Sequence, residues 1–447
     1  MNKIKTNILV LIFLLLLQHS IRGQTEDGKP FGLLDSFEID ASILENVTKK
    51  TTVQIDISLL QAKLLEATEE NIGVGRNIGN ETPIIIDLPM PENCTKPFEV
   101  RKSSIMDKAF AKRYPLIKSY SLLSTEEETT YGRLTFSHLG IHATILSRNG
   151  TIGIFPVQNS KNNTSHEITI GGLHEGDWIC GLEEDPKSKM WQDHYARQKQ
   201  KSFGFTSGNE VRTYRLAAIV TGEFYEDNLD ATNGSANDDA DVIAVLTSVM
   251  DGVQVFFDRD VAVRFNLLTP VLYDDSGTDP FIPDQTGGDS RTIQARTQIS
   301  ANFNINDYDI GHVFHRHASG DGWSSGGVAG LGVVCNDFIS NGGPQKARGW
   351  SGSFNNQTSG FIGLTAHEIG HQFDASHTFN GTGSSCTSNI SSSSSYEIAS
   401  GVTIMAYVGI CSAAQNIPIS GTAHEYFHTH SLTQMINYIN VSGTCAA

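Results

Sequence analysis

His367-Glu368-Ile369-Gly370-His371, with His377 six residues further on, is the stretch of this chain best equipped for chemistry. Two histidines four apart on a helix share one face, with Cβ atoms roughly 5–6 Å apart. Their imidazole nitrogens can take one metal ion. Zinc favours such ligands, and a catalytic zinc site uses three protein ligands and keeps one position open. Glu368 stands about 100° further round the helix than His367. From there its carboxylate can take a proton from a water beside the metal, which is the chemistry of metal-assisted peptide hydrolysis.

A helix has to carry this pattern. Ile362, Ala366, Ile369 and Phe373 recur at spacings of four, three and four, which predicts a helix over 359–373 with Ser359 as its N-cap. Gly363, His367, Gly370 and His371 fall on the neighbouring face. The helix must then stop sharply for His377 to fold back. Such a stop wants a residue at positive φ, usually Gly, and this chain has Asp374, which tolerates that conformation less readily.

Two other histidine groups compete. His424-Glu425-Tyr426-Phe427-His428 repeats the short pattern, but His430 is the one further histidine after it, and no Asp or Glu follows. It reads as a histidine-rich approach to a last helix at 432–439. His312, His315 and His317 are close in sequence, and on a strand the last two share a face. No general base accompanies them, so they read as surface or core histidines.

The N-terminus reads as a secretory signal over residues 1–23: Lys3 and Lys5, an apolar run from Ile8 to Leu17, then a polar stretch ending at Gly23. That run is too short to span a bilayer, no other stretch is expected to approach transmembrane length, and no stable membrane anchor is expected. Net charge is −17, and −20 once Lys3, Lys5 and Arg22 are lost, which argues against nucleic acid or anionic membranes as partners. Asp-rich segments at 237–241 and 274–289 are calcium candidates. They lack EF-hand spacing, so solvated loops are the better reading. Six cysteines in an exported chain suggest disulfides: Cys335, Cys386, Cys411 and Cys445 downstream, Cys94 and Cys180 upstream.

The 447 residues leave room for more than one domain. Residues 24–75 are polar and weakly patterned and are expected to be partly mobile. Short alternating runs at 82–88, 98–102, 132–137, 140–146, 151–157 and 167–170 predict a β-rich domain with a helix near 104–114. A charged, processable linker follows at 183–208. Beyond it the style changes: strands at 212–221, 261–273, 309–317 and 326–335 alternate with helices at 240–257, 292–302 and 359–373. That alternation predicts an α/β (α+β) domain with a mixed sheet. The division is therefore a signal at 1–23, an N-terminal domain and linker at 24–205, and a catalytic domain at 206–447. The run Ser391–Ser395 reads as a flexible loop tip.

His367, His371 and His377 together with Gly401-Val402-Thr403-Ile404-Met405-Ala406-Tyr407, 28 residues on, match the zinc signature and Met-turn of the metzincins. Within them the chain resembles the reprolysin (adamalysin) branch, and most of all its secreted bacterial members. Supporting stretches are 214–223, 327–335, 367–381 and 427–445, while the N-terminal part resembles a propeptide.

The resemblance implies zinc bound by His367, His371 and His377, Glu368 as general base, and Met405 as an apolar floor. It also implies disulfides Cys335–Cys445 and Cys386–Cys411. Thr378 stands where many animal reprolysins carry Asp, so that supporting carboxylate is absent or supplied elsewhere. Tyr407 is a candidate for touching zinc or an oxyanion, with a packed aromatic as the alternative. Cys180 is a candidate cysteine switch, with a Cys94–Cys180 disulfide as the alternative.

The expectation is a monomeric, secreted zinc endopeptidase made as a zymogen and acting on proteins or peptides. The rival is a secreted zinc-stabilised binding protein without turnover. Glu368 argues against it, since a structural zinc site needs no adjacent carboxylate.

Overall fold

In the computed structural model the described residues are 31–33, 50–70, 83–91, 94–127, 129–148, 150–157, 164–170, 210–283, 289–317, 322–323, 326–355, 358–417 and 425–447. The signal, the linker and Cys180 lie outside them.

The N-terminal part is one antiparallel sheet. Its strands are β1 (Phe31–Leu33), β2 (Lys50–Ile55), β3 (Ile84–Met90), β4 (Cys94–Lys102), β5 (Lys118–Ser124), β6 (Tyr131–Ser137), β7 (Gly140–Ser147), β8 (Gly150–Pro156) and β9 (Ser165–Ile170). They lie in the order β1-β2-β9-β8-β7-β6-β5-β4-β3. Alternation builds its core, with Ile86, Leu88, Phe98, Val100, Ile152 and Ile154 turned inward.

Within 24–75, a stretch expected to be partly mobile, residues 50–65 form a strand and a helix. Val53 and Ile55 enter the core from β2, and α1 (Ile57–Leu65) follows it, capped by Asp56, whose Oδ1 accepts from Leu59 N–H at 2.9 Å. Leu60 and Leu64 of α1 are buried in the same core, and that burial outweighs the polar composition around them. The helix expected at 104–114 is shorter, α2 (Lys108–Arg113), because Asp107 caps it from inside that range.

The C-terminal part is a three-layer α/β unit. Its first elements are β10 (Arg212–Val220), α3 (Gly222–Asp227), α4 (Asp238–Val261), β11 (Val263–Leu267), β12 (Val271–Leu272), α5 (Asp289–Asn302) and β13 (Ile310–Arg316). There follow β14 (Gly326–Ala329), the two-residue strands β15 (Ile339–Ser340) and β16 (Gly343–Pro344), β17 (Gly349–Ser353), α6 (Ser359–Gln372) and α7 (Thr429–Val441). The sheet runs β11-β10-β13-β17-β14, with β12 also on β10. All pairings are parallel except that of β14 with β17.

Strand β10 shows how both faces are covered. Leu216, Ala218 and Val220 share a core with α4 and α6, while Ala217 and Ile219 share one with α5. Two expected strands are shorter than the apolar runs that suggested them. The run 261–273 divides into β11 and β12, and 326–335 keeps strand geometry only over β14, ending in turns.

Helix α4 is long and apolar enough to cross a membrane by length and composition, against the expectation that no further stretch approaches that length. It is almost wholly buried inside the protein and serves as the core helix. Disulfides join Cys335 to Cys445 and Cys386 to Cys411, with Cα separations of 5.7 and 5.2 Å. Cys94 is a free, exposed thiol.

The N-terminal sheet docks on α4 and the end of β11. Arg133 Nε donates to Asp251 Oδ1 at 2.7 Å, Thr135 donates to Asp251 Oδ2 at 2.6 Å, and both ends of the ion pair are buried. Around it lie His138 with Asp241 and Arg264 with Glu70. Leu267 exchanges backbone hydrogen bonds with Ile105 and Asp107, at 2.7 and 2.9 Å.

Candidate metal centre

Helix α6 begins one residue earlier than expected: Thr358, not Ser359, is the N-cap, with Oγ1 accepting from Phe361 N–H at 3.3 Å. Ser359 already has helical geometry. The apolar stripe Ile362, Ala366, Ile369 and Phe373 is buried in the main core. That burial turns His367 and His371 toward the opposite side.

At the far end Asp374 takes φ +75°, the left-handed conformation. Asp374 N–H donates to His371 O at 2.8 Å, and Ala375 N–H donates to Gly370 O at 3.0 Å. This is a Schellman stop with aspartate in the usual glycine place. The turn delivers Ala375 O to His371 Nδ1 at 2.6 Å and swings His377 back over the helix.

Each of the three imidazoles is held in the same way. His367 Nδ1 meets Ile404 O at 2.7 Å, His371 Nδ1 meets Ala375 O, and His377 Nδ1 meets Asn389 O at 2.7 Å. A carbonyl accepts only, so every Nδ1 carries the proton and every Nε2 offers a lone pair. Those lone pairs converge: His377 Nε2 is 3.2 Å from His367 Nε2 and 3.1 Å from His371 Nε2.

Three acceptors so close and fully buried repel one another unless a cation lies between them. Nitrogens bound tetrahedrally to zinc at 2.0–2.1 Å stand about 3.3 Å apart, so the residues present fit the ion. Burial holds the His367 imidazole down to about 4, and the other two well below the usual range with help from the neighbouring imidazoles. Each stays neutral, the form that binds metal. Among the described residues this is the one group of three or more His, Cys, Asp or Glu ligands within mutual reach.

The surrounding shell is built from single close approaches. Glu368 is buried, and its carboxylate abuts the backbone of Gly327 on β14, where a Cβ would overlap it. Met405 is buried, and a Cβ on Gly370, which lies between the first two histidines, would come within 2.7 Å of its sulfur. Tyr407 is buried between His377, 4.7 Å between ring centroids, and Phe379, stacked at 4.3 Å.

The serine run is anchored at one residue, while Ser392 and Ser393 stay exposed as a loop tip. Ser394 is fully buried, its Oγ 3.2 Å from His430 Nε2. The competing histidine groups are elsewhere. His312, His315 and His317 are core residues, His312 held by Gln372 and Ser351 at 2.9 and 2.8 Å. Of the second short motif, His424 lies outside the described residues and Glu425–His428 is not helical, since His428 caps α7. Sequence reasoning missed the three orienting carbonyls, because a backbone carbonyl has no residue type to mark it.

With this geometry in place, the comparison with known families is decisive. Residues 211–439 match the sequence model of metallo-peptidase family M12B, reprolysin-like. The chain belongs to this family of metallopeptidases. The M12B match spans the whole three-layer unit up to α7 and includes every residue of the triad. M12B enzymes hydrolyse peptide bonds and depend on zinc, so proteins or peptides are the substrate class. No match was found among curated proteins.

Proposed function

We propose that the chain is a secreted zinc endopeptidase, made as a zymogen, in which Glu368 is the general base. The observation that carries this is the convergence of three Nε2 lone pairs beside a buried carboxylate. Zinc held by His367, His371 and His377 would supply Lewis-acid chemistry, polarising a scissile carbonyl and acidifying water. Glu368 takes the proton from the attacking water and carries it to the leaving amine. No covalent acyl-enzyme is needed.

Strand β14 ends the sheet order, and Gly327 on it faces Glu368. A peptide extended along that edge by strand addition lies across the triad. Tyr407, gripped on two sides by His377 and Phe379, is read as a packed wall of the site. The signal-like N-terminus supports export, and two disulfides fit an oxidising compartment. The zymogen reading rests on the N-terminal sheet docked to α4 and on the charged segment between the two parts. Cys180 remains the candidate switch thiol. The domain division stays at 24–205 and 206–447.

The test compares wild type with Glu368→Ala before and after limited proteolysis between 171 and 209. Metal content and cleavage of a quenched mixed-peptide library are measured. One zinc in both, with turnover about 10²–10⁴-fold higher in wild type after cleavage, is expected. A Glu368→Ala enzyme as active as wild type would exclude the general-base role. Full activity before cleavage would exclude the zymogen.

A further inference from the structure

Glu397 follows the third histidine by twenty residues and is only 9 % exposed. Its carboxylate is filled with donors. Oε1 accepts from Val402 N–H at 2.8 Å and Thr403 N–H at 3.1 Å. Oε2 accepts from the Thr403 hydroxyl at 2.6 Å and from the Thr378 hydroxyl. Its backbone bridges the segment after His377 as well: Glu397 N–H donates to Thr378 O at 2.7 Å, and Asn380 N–H donates to Glu397 O at 3.0 Å.

One side chain therefore joins two segments that both end on the triad. On one side Thr378 is the neighbour of His377. On the other, Val402 and Thr403 open the turn whose next residue, Ile404, offers the carbonyl that fixes His367 Nδ1. The same turn places Met405, whose O accepts from Thr378 N–H at 3.1 Å, closing the loop of contacts. Glu397 itself makes none of the contacts described within the triad. Its effect passes through Thr378 and the 402–405 turn.

We infer that Glu397 is a positioning residue for the metal site. It supplies from a separate loop the carboxylate that Thr378 lacks, and so fixes the tautomer and orientation of His367 and the seat of His377. Four donors on two oxygens suit a carboxylate, which accepts only. An amide at 397 can keep its oxygen on the two backbone N–H groups, but its N–H₂ then faces the two hydroxyls, which must reverse and accept, so Glu397→Gln keeps the shape and exchanges four charge-assisted bonds for weaker neutral ones. Outer partners of metal-binding histidines are worth about 10- to 100-fold in affinity when removed. The inference rests on the triad holding zinc.

The experiment uses the full chain in three forms: wild type, Glu397→Gln, and Glu397→Gln with Thr378→Asp. Zinc affinity is read by chelator competition, and the ligand field by the visible spectrum of the cobalt(II)-loaded protein. Circular dichroism establishes that each variant is folded. Glu397→Gln is expected to weaken zinc about 10- to 100-fold and to shift the cobalt bands. A carboxylate at 378 is expected to recover most of the loss. Wild-type affinity and an unchanged cobalt spectrum in Glu397→Gln would overturn the inference, and so would a defect that Thr378→Asp leaves untouched. Wild type that binds no zinc would sink the metal reading beneath it instead.

Discussion

Gly327 and Glu368 are in direct contact: the edge strand passes so close to the carboxylate that no side chain fits between them. The carboxylate is therefore seated by a backbone as well as by its own helix. Gly327→Ala is expected to displace the carboxylate while leaving the histidines in place. Misplacement on this scale costs on the order of 10²-fold. The expected result is one zinc per chain with kcat/KM reduced by about 10- to 100-fold, read by metal analysis and peptide kinetics. Unchanged kinetics would show that Glu368 works from elsewhere.

Arg133 and Asp251 form a buried ion pair across the junction of the two parts. Removing one partner of such a pair strands the other charge and costs about 3–5 kcal/mol, whereas replacing both with apolar groups is often neutral. Arg133→Ala should lower the urea midpoint strongly. Arg133→Met with Asp251→Leu should recover most of the loss. Equal losses in the single and the double variant would mean that shape, not charge, holds the junction.

His166 makes the N-terminal sheet sensitive to acid. Its Nε2 accepts from Ile141 N–H at 3.0 Å, and burial depresses the imidazole from 6.5 to about 4. Above pH 6.5 neither the folded nor the unfolded state carries the proton. Between 6.5 and about 4 the unfolded chain takes it up and the fold does not, so stability falls with falling pH. From pH 7 to 4.5 the wild type should lose about 2 kcal/mol more than His166→Gln. Parallel stability curves for the two proteins would refute the assignment.

The two disulfides should separate stability from activity. Closing 110 residues, Cys335–Cys445 contributes about 4.8 kcal/mol by chain entropy, and Cys386–Cys411, closing 25, about 3.5. The shorter one ties the segment holding Asn389 to the end of the Met-turn loop. Removing it as a Ser pair should cost less in midpoint and more in kcat than removing the other. The reverse ranking in kcat would detach that bridge from the site.

The grouping of His367, His371 and His377 was legible because metal ligation restricts both residue type and spacing. The alternation of strand and helix after 210 was legible for a similar reason, since a mixed α/β sheet leaves a strong hydrophobic period. What escaped depends on partners distant in sequence. The segment 50–65 reads as weakly patterned, because its few apolar residues gain meaning only against β3, β8 and β9. Glu397 has no signature at all: its role exists only once 378, 402 and 403 are brought around it.

Strand β11 closes one end of the sheet, and Ile105–Asp107 caps the exit of that strand like a short borrowed strand of its own. Any cut that set the N-terminal part free would bare Leu267's backbone donor and acceptor together with the apolar surface that Ile105, Met106 and Phe110 now cover. An uncovered edge beside apolar surface is a template for strand addition by a neighbouring molecule. The docked sheet covers that edge, and its dissociation would set an upper limit on the concentration at which the freed C-terminal part stays dispersed.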